Sequence, residues 1–113
     1  MQLDDFQKSA LRTLNQNLSD RDQLLDASAG LAEEAAEVLG LVRKRVFQQR
    51  EVSTDRLAEE LGDVLWCLAV TAHSLGIPLS RVAELNQAKL KARHPHGFDG
   101  ERTADEWSRS VRD

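Results

Sequence analysis

Pro78 and Pro95 are the only prolines in a chain whose apolar residues recur at three- and four-residue spacing. That spacing is the repeat of one face of an α-helix, and no stretch shows the strict apolar–polar alternation of a half-buried strand. Both prolines stand where a helix must break, because proline removes an N–H and clashes with the preceding turn. An all-α fold is therefore expected. Phe6, Ala10, Leu11 and Leu14 mark a first helix from Leu3 to about Asn15. Asn17-Leu18-Ser19-Asp20 reads as a turn. A long second helix runs from about Asp22 into the Val46 region, and the polar stretch from Gln48 to Val52 leads to a third. Ser53 or Thr54 caps that helix, Asp55 occupies its first turn, and Gly76 ends it after Leu75. Ser80 caps a fourth helix that reaches about Arg93, where Pro95 and Gly97 stop it. Thr103-Ala-Asp-Glu106 reads as a capping box for a last, short helix. The expected architecture is a compact bundle of about four main helices, a single domain over residues 1–113.

A chain of 113 residues can bury only a modest core. Aromatic residues make up 4%, so that core must come from Leu, Val and Ala. Long apolar helix faces that one small subunit cannot cover favour a homo-oligomer. The formal net charge of −4, from 15 basic and 19 acidic residues, argues against a nucleic acid polymer as partner. No apolar run approaches the ~20 residues of a membrane span, so no membrane partner is expected. The opening MQLDDFQKSA lacks a basic region followed by an apolar core, so it does not read as a secretory signal. Cys67 is the sole cysteine, which excludes an internal disulfide. These features together predict a cytoplasmic protein.

The chemistry is concentrated in two acidic segments, Glu33-Glu34-Ala-Ala-Glu37 and Glu60-Leu-Gly-Asp63. At about 100° per residue, Glu37 falls about 40° from Glu33 and Glu34 about 100°, so three carboxylates share one arc of one helix. Leu31, Ala35, Val38 and Val42 lie beside that arc, and Gly30, Ala36 and Gly40 lie in or near it, where another backbone could approach. On the third helix Asp63 is about 60° from Glu60. Leu57, Leu61, Val64, Leu65 and Leu68 form the neighbouring apolar arc. Packing the two apolar arcs together would bring four or five carboxylates into one cleft. Their repulsion, worsened by partial burial, calls for protons or cations. No Lys or Arg is interleaved within either motif. A divalent ion is the natural remedy, and an all-oxygen ligand set favours Mg²⁺ or Mn²⁺. On pattern alone, a solvated acidic face remains the alternative.

Glu34-x-x-Glu37, followed after 22 residues by Glu60-x-x-Asp63, resembles the signature of the all-alpha nucleoside triphosphate pyrophosphohydrolases. That superfamily includes the MazG-type enzymes, dimeric dUTPases and phosphoribosyl-ATP pyrophosphatase. Leu3-Asp-Asp-Phe-Gln-Lys resembles the usual opening of the first helix, and Glu60-Leu-Gly-Asp-Val-Leu-Trp the MazG form of the second motif. Asn86-x-x-Lys89-Leu-x-x-Arg93-His-Pro-x-Gly-Phe98 resembles the MazG-type downstream motif, which separates the chain from the phosphoribosyl-ATP branch. The resemblance implies a homodimer or a dimer of dimers. It implies Mg²⁺, with Mn²⁺ able to substitute, held by Glu34, Glu37, Glu60 and Asp63. It also implies attack of water on the α-phosphorus of a nucleoside triphosphate. Glu33 then becomes the candidate for orienting or deprotonating that water, with Glu34 beside it, or for holding an extra metal. Asn86, Lys89 and Arg93 share one helical stripe and become candidates for gripping the phosphates.

Other chemistry-bearing residues have plainer expectations. His94 and His96 flank Pro95 and cannot share one helical face, which disfavours a two-histidine metal site. Trp66 and His73 share a stripe away from the acidic arc, so packing, within the subunit or at a subunit interface, is expected of them. Cys67 reads as a small core residue, since no histidine partner for a nucleophile is apparent. Trp107 could stack on a base or pack at the terminus. Two rival functions stand beside the hydrolase. A carboxylate-bridged di-iron bundle needs Glu-x-x-His motifs, which are absent here. A non-enzymatic helical interaction module would make the acids mere surface charge.

Overall fold

Serine hydroxyls set the starts of the two long helices. In the computed structural model, which describes residues 1–98, Ser19 accepts a hydrogen bond from the Asp22 amide and opens α2 (Asp20–Val46). Ser53 accepts from the Arg56 amide and opens α3 (Thr54–Ser74). Each hydroxyl satisfies one of the amides that a helix start leaves without a partner, and acidic residues in both first turns complement the helix dipole. α3 ends as the sequence predicts. Gly76 takes a φ of 77°, its amide donates to the His73 carbonyl, and the Ile77 amide donates to the Ala72 carbonyl. This is the paired closure that a left-handed residue after the helix permits.

Two expected boundaries differ. α1 spans Leu3–Leu11 and stops short of Asn15. The Ala10 carbonyl receives the Thr13 amide at 3.1 Å, the Thr13 hydroxyl at 2.8 Å and the Trp66 indole N–H at 3.2 Å. The Leu14 amide turns instead to Leu11, so the chain leaves the α-helical ladder. α4 spans Leu79–Arg93, and Ser80 lies inside it rather than capping it. The cap comes from α1, where the Asp4 carboxylate accepts from the Ser80 amide at 2.8 Å and from its hydroxyl at 2.7 Å. A carboxylate two-pronged on one residue displaces the weaker local hydroxyl cap.

The chain divides into two units, Met1–Ser80 and a second from Arg81 onward. In the first, α3 packs against α2 on one side and α1 on another. Its core centres on Ala10, Ala69 and Leu79, with Phe6, Leu65 and Trp66 packed around them. Gln7 is buried there. Its side-chain amide donates to the Ala69 and Ile77 carbonyls, and its oxygen accepts from the Leu79 amide. One buried polar side chain thus ties α1 to α3 and to the start of α4. The apolar arc of α2 is only partly covered: Leu31 and Val38 are half-buried, whereas Ala35 and Val42 are exposed. Leu25, Leu39, Val46, Phe47, Leu61 and Leu75 are exposed as well. No single described helix is long and apolar enough to cross a membrane. In the second unit α4 ends at Arg93, the His94 amide donating to the Leu90 carbonyl and Gly97 taking a φ of 88°. The expected capping box at Thr103 and the residue Trp107 lie outside the described residues.

Candidate functional site

On α2, Glu34 sits between the half-buried Leu31 and Val38 and is itself half-buried against α3. On α3, Glu60 is buried and Asp63, nearly one turn on, is exposed. The helix pairing brings the three together, with one carboxylate oxygen from each lying within 4.8 Å of the others. Glu37 is exposed and outside that trio, though its charge still acts on Glu34.

Crowding shows in the electrostatics. Loss of solvent raises the Glu34 carboxyl above its ordinary value, and the charges of Asp63, Glu60 and Glu37 raise it further. A hydrogen bond with Glu60 adds to the same shift. Glu60 has a counter-charge, for the Arg56 guanidinium lies 3.2 Å from its carboxylate and is shared with Glu59 at 3.7 Å. Arg56 stands one turn before the motif, so counting cations inside the motif overlooks it. The four-residue spacing on one helix face would have shown it.

Two of the trio, Glu34 and Asp63, line a cavity of about 360 Å³, inside the range of about 300–1,000 Å³ typical of small-molecule sites. Glu33, Glu34 and Asp63 line it, and so does Asp26, which the sequence reading passed over. Asp26 precedes Glu33 by seven residues, two helical turns along the same stripe, and that spacing was the available signal. Gly30 and Cys67 form a wall at which the helices nearly touch. A Cβ at position 30 would stand 3.2 Å from the Cys67 sulfur. The close neighbour at Gly30 is thus a side chain and not the expected backbone, while a Cβ at Gly40 would meet nothing within 4 Å. Cys67 is buried, as expected of a core residue. Burial, followed by the charges of Glu34, Asp63, Asp26 and Glu33, pushes its thiol up, so it stays protonated and uncharged.

Trp66 corrects its sequence reading. It lines the acidic cavity, only three residues beyond Asp63. Its indole N–H meanwhile reaches the Thr13 hydroxyl at 2.9 Å. One side chain therefore packs on α1 and walls the site. His73 is exposed, beside a separate small cavity with Asp20 and Gln23. Asn86 and Lys89 are exposed and Arg93 is half-buried, all on α4 in the second unit. His94 is half-buried and His96 exposed.

The residues at the cluster fit a hard divalent cation. The donors are carboxylate oxygens from two helices, the one nearby sulfur is held as a thiol, and repulsion among the acids is only partly offset by Arg56.

The family model described as MazG nucleotide pyrophosphohydrolase domain matches residues 23–98. The chain is 39% identical over 72 residues to the "Gene 37 protein" of Mycobacterium phage L5, an alignment covering 60% of this chain and 63% of that protein. No solved structure matches significantly.

Proposed function

We propose, from the premise that the chain belongs to the MazG nucleotide pyrophosphohydrolase family, that it is a Mg²⁺-dependent enzyme hydrolysing a nucleoside or deoxynucleoside triphosphate to the monophosphate and pyrophosphate. The observation that carries this reading is the convergence of the Glu34, Glu60 and Asp63 carboxylates, two of which, Glu34 and Asp63, also line the acidic cavity. The family acts on nucleoside triphosphates and is metal-dependent. In this reading Glu34, Glu60 and Asp63 hold Mg²⁺, or Mn²⁺ in its place, and Glu37 joins them from the next turn of α2. The ion supplies charge neutralisation for the phosphoryl oxygens and a lowered pKa for bound water.

The chain's own residues divide the remaining work. Glu33 lines the cavity beside Glu34 and is the group proposed to orient the attacking water and accept its proton. The water oxygen bonds to the α-phosphorus, the bond to the bridging oxygen breaks, and pyrophosphate leaves with the electron pair. Asn86, Lys89 and Arg93 are proposed to grip the phosphates from α4. Assembly into a homodimer or a dimer of dimers is proposed with it, and the exposed apolar residues Leu25 and Leu39 of α2 and Leu61 of α3 are the surface that such a partner would cover. A role in clearing the cytoplasmic nucleotide pool is part of the same proposal.

The test is product analysis with Mg²⁺ across a nucleotide panel, run in ¹⁸O-labelled water. Monophosphate carrying the label, together with intact unlabelled pyrophosphate, is expected. Diphosphate with orthophosphate, or label in pyrophosphate, would place the attack elsewhere. No turnover of any nucleotide would favour the interaction-module alternative.

A further inference from the structure

A second cavity, of about 780 Å³, opens at the turn between α2 and α3. Lys44, Arg50 and Arg56 line it against a single carboxylate, Glu51. Three cations in one recess stand out on a chain of net charge −4. The turn is folded back to assemble them. The Arg50 amide donates to the Lys44 carbonyl at 3.1 Å, and Gln49 takes a φ of 50°, a left-handed conformation costly for a residue with a side chain. Ser53 lines the same recess, so the positive end of the α3 dipole opens there too. Among the described residues, Lys44 and Arg50 enter no ion pair, whereas Arg56 is shared by Glu59 and Glu60. Basic residues in the last turn of α2 complement that helix's dipole. That role accounts for neither Arg50 nor Arg56, which lie beyond it.

We infer that this recess is a phosphate-binding pocket distinct from the carboxylate cluster, with Lys44, Arg50 and Arg56 as its ligands. Guanidinium forks and an ammonium at a helix start are the donor set that phosphate oxygens require. Arg56 precedes Glu60 by four residues, a rise of about 6 Å along α3. A phosphate held at Arg56 is therefore within a triphosphate's reach of the carboxylates. The shared chemistry has two sources: the terminal phosphates of a bound nucleotide, which rests on the function proposed above, or free pyrophosphate.

The first arm of the test uses neither metal nor nucleotide. Inorganic pyrophosphate is titrated calorimetrically into the full chain in the presence of EDTA. Wild type should bind, and Lys44→Ala/Arg50→Ala should bind at least about tenfold more weakly, the loss expected for charged hydrogen bonds. Arg43→Ala/Arg45→Ala removes the same charge from the exposed end of α2 outside the recess and should bind like wild type. No binding by wild type, or equal loss in both double variants, would overturn the pocket. The second arm measures turnover with Mg²⁺. A raised KM with kcat retained in Lys44→Ala/Arg50→Ala assigns the pocket to the nucleotide's tail. An unchanged KM with lost inhibition by pyrophosphate assigns it to the free anion. Metal-free binding by an inactive enzyme would refute the hydrolase alone, and turnover without metal-free binding would refute the pocket alone.

Discussion

Replacing Glu34 with glutamine separates metal binding from folding. An ion that binds only the folded state, at a hundredfold excess over its Kd, stabilises it by about 2.7 kcal/mol. With about 2.1 cal/mol/K of unfolding entropy per residue, the 113-residue chain unfolds with about 0.24 kcal/mol/K. Mg²⁺ or Mn²⁺ should then raise Tm by about 11 °C in differential scanning calorimetry. If Glu34→Gln weakens the ion a hundredfold, the same concentration stabilises by only about 0.4 kcal/mol, or about 2 °C. Without metal the variant should behave in the opposite sense. Lost solvation, followed by the charges of Asp63, Glu60 and Glu37, raises the folded-state Glu34 carboxyl above its ordinary value. Protonated Glu34 is therefore favoured by folding. Its contribution is fully present below the unfolded-state value and is lost as pH rises through the folded-state one. Metal-free wild type should lose stability across that window, and Glu34→Gln should not. An unchanged metal response in the variant, or matching metal-free pH profiles, would refute the reasoning.

Two further outcomes test the scaffold. Gln7→Ala removes three hydrogen bonds that involve the Ala69 and Ile77 carbonyls and the Leu79 amide. At about 1 kcal/mol each, thermal unfolding should show a loss of about 3 kcal/mol, and a loss below about 1 kcal/mol would mean that water replaces the side chain. Asp4 shifts the other way from Glu34, because the Ser80 amide and then its hydroxyl hold its carboxyl below the ordinary value. Its contribution is present above the unfolded-state value and is lost as pH falls through the lowered one. Asp4→Asn should flatten the acid limb of the stability profile, and an unaltered limb would show that the α1–α4 tether carries no charge-dependent stability.

The sequence made α2 and α3 legible because their ends are local events. Ser53 and Gly76 each act within a few residues of the boundary they set. The helix faces carrying Glu34, Glu60 and Asp63 were equally legible, since 3.6-residue geometry fixes which side chains share a stripe. α1 and α4 were harder, because their ends depend on partners remote in sequence. Trp66 competes for the Ala10 carbonyl from 56 residues away, and Asp4 caps α4 from 76 residues away. Gln7 was missed for the same reason, as a glutamine on a short amphipathic helix reads as surface until its three backbone partners are brought to it. Arg56 and Asp26 lie on the correct stripes just outside the motifs, so helical spacing alone points to them. Trp66 lies on a stripe away from the acidic arc, yet a residue that large can pack on α1 and line the cavity together.

The charge balance at the cluster explains why this arrangement suits a divalent cation. Glu60 is the most deeply placed of the three acids, and an unpaired carboxylate there would be the costliest. Arg56 reaches it along the same helix and leaves solvent on its own outer side. The cation thus offsets one acid without filling the space between the helices. Glu34 and Asp63 face that space from opposite helices, with no Lys or Arg in an ion pair to either among the described residues. Their surplus of two negative charges is what one divalent ion cancels. Had a lysine bridged Glu34 to Asp63, the fold would gain stability in the absence of metal and lose the electrostatic pull on one. With an ion bound there, the Glu34–Asp63 repulsion would tie folding free energy to metal occupancy. Asp26 and Glu33, farther along the cavity, keep its field negative even when that surplus is cancelled. A triphosphate would enter such a field at a cost unless it arrived with its own cation or met basic groups elsewhere. That is the electrostatic reason to seek its phosphate contacts on basic groups outside the cavity, such as the recess of Lys44, Arg50 and Arg56.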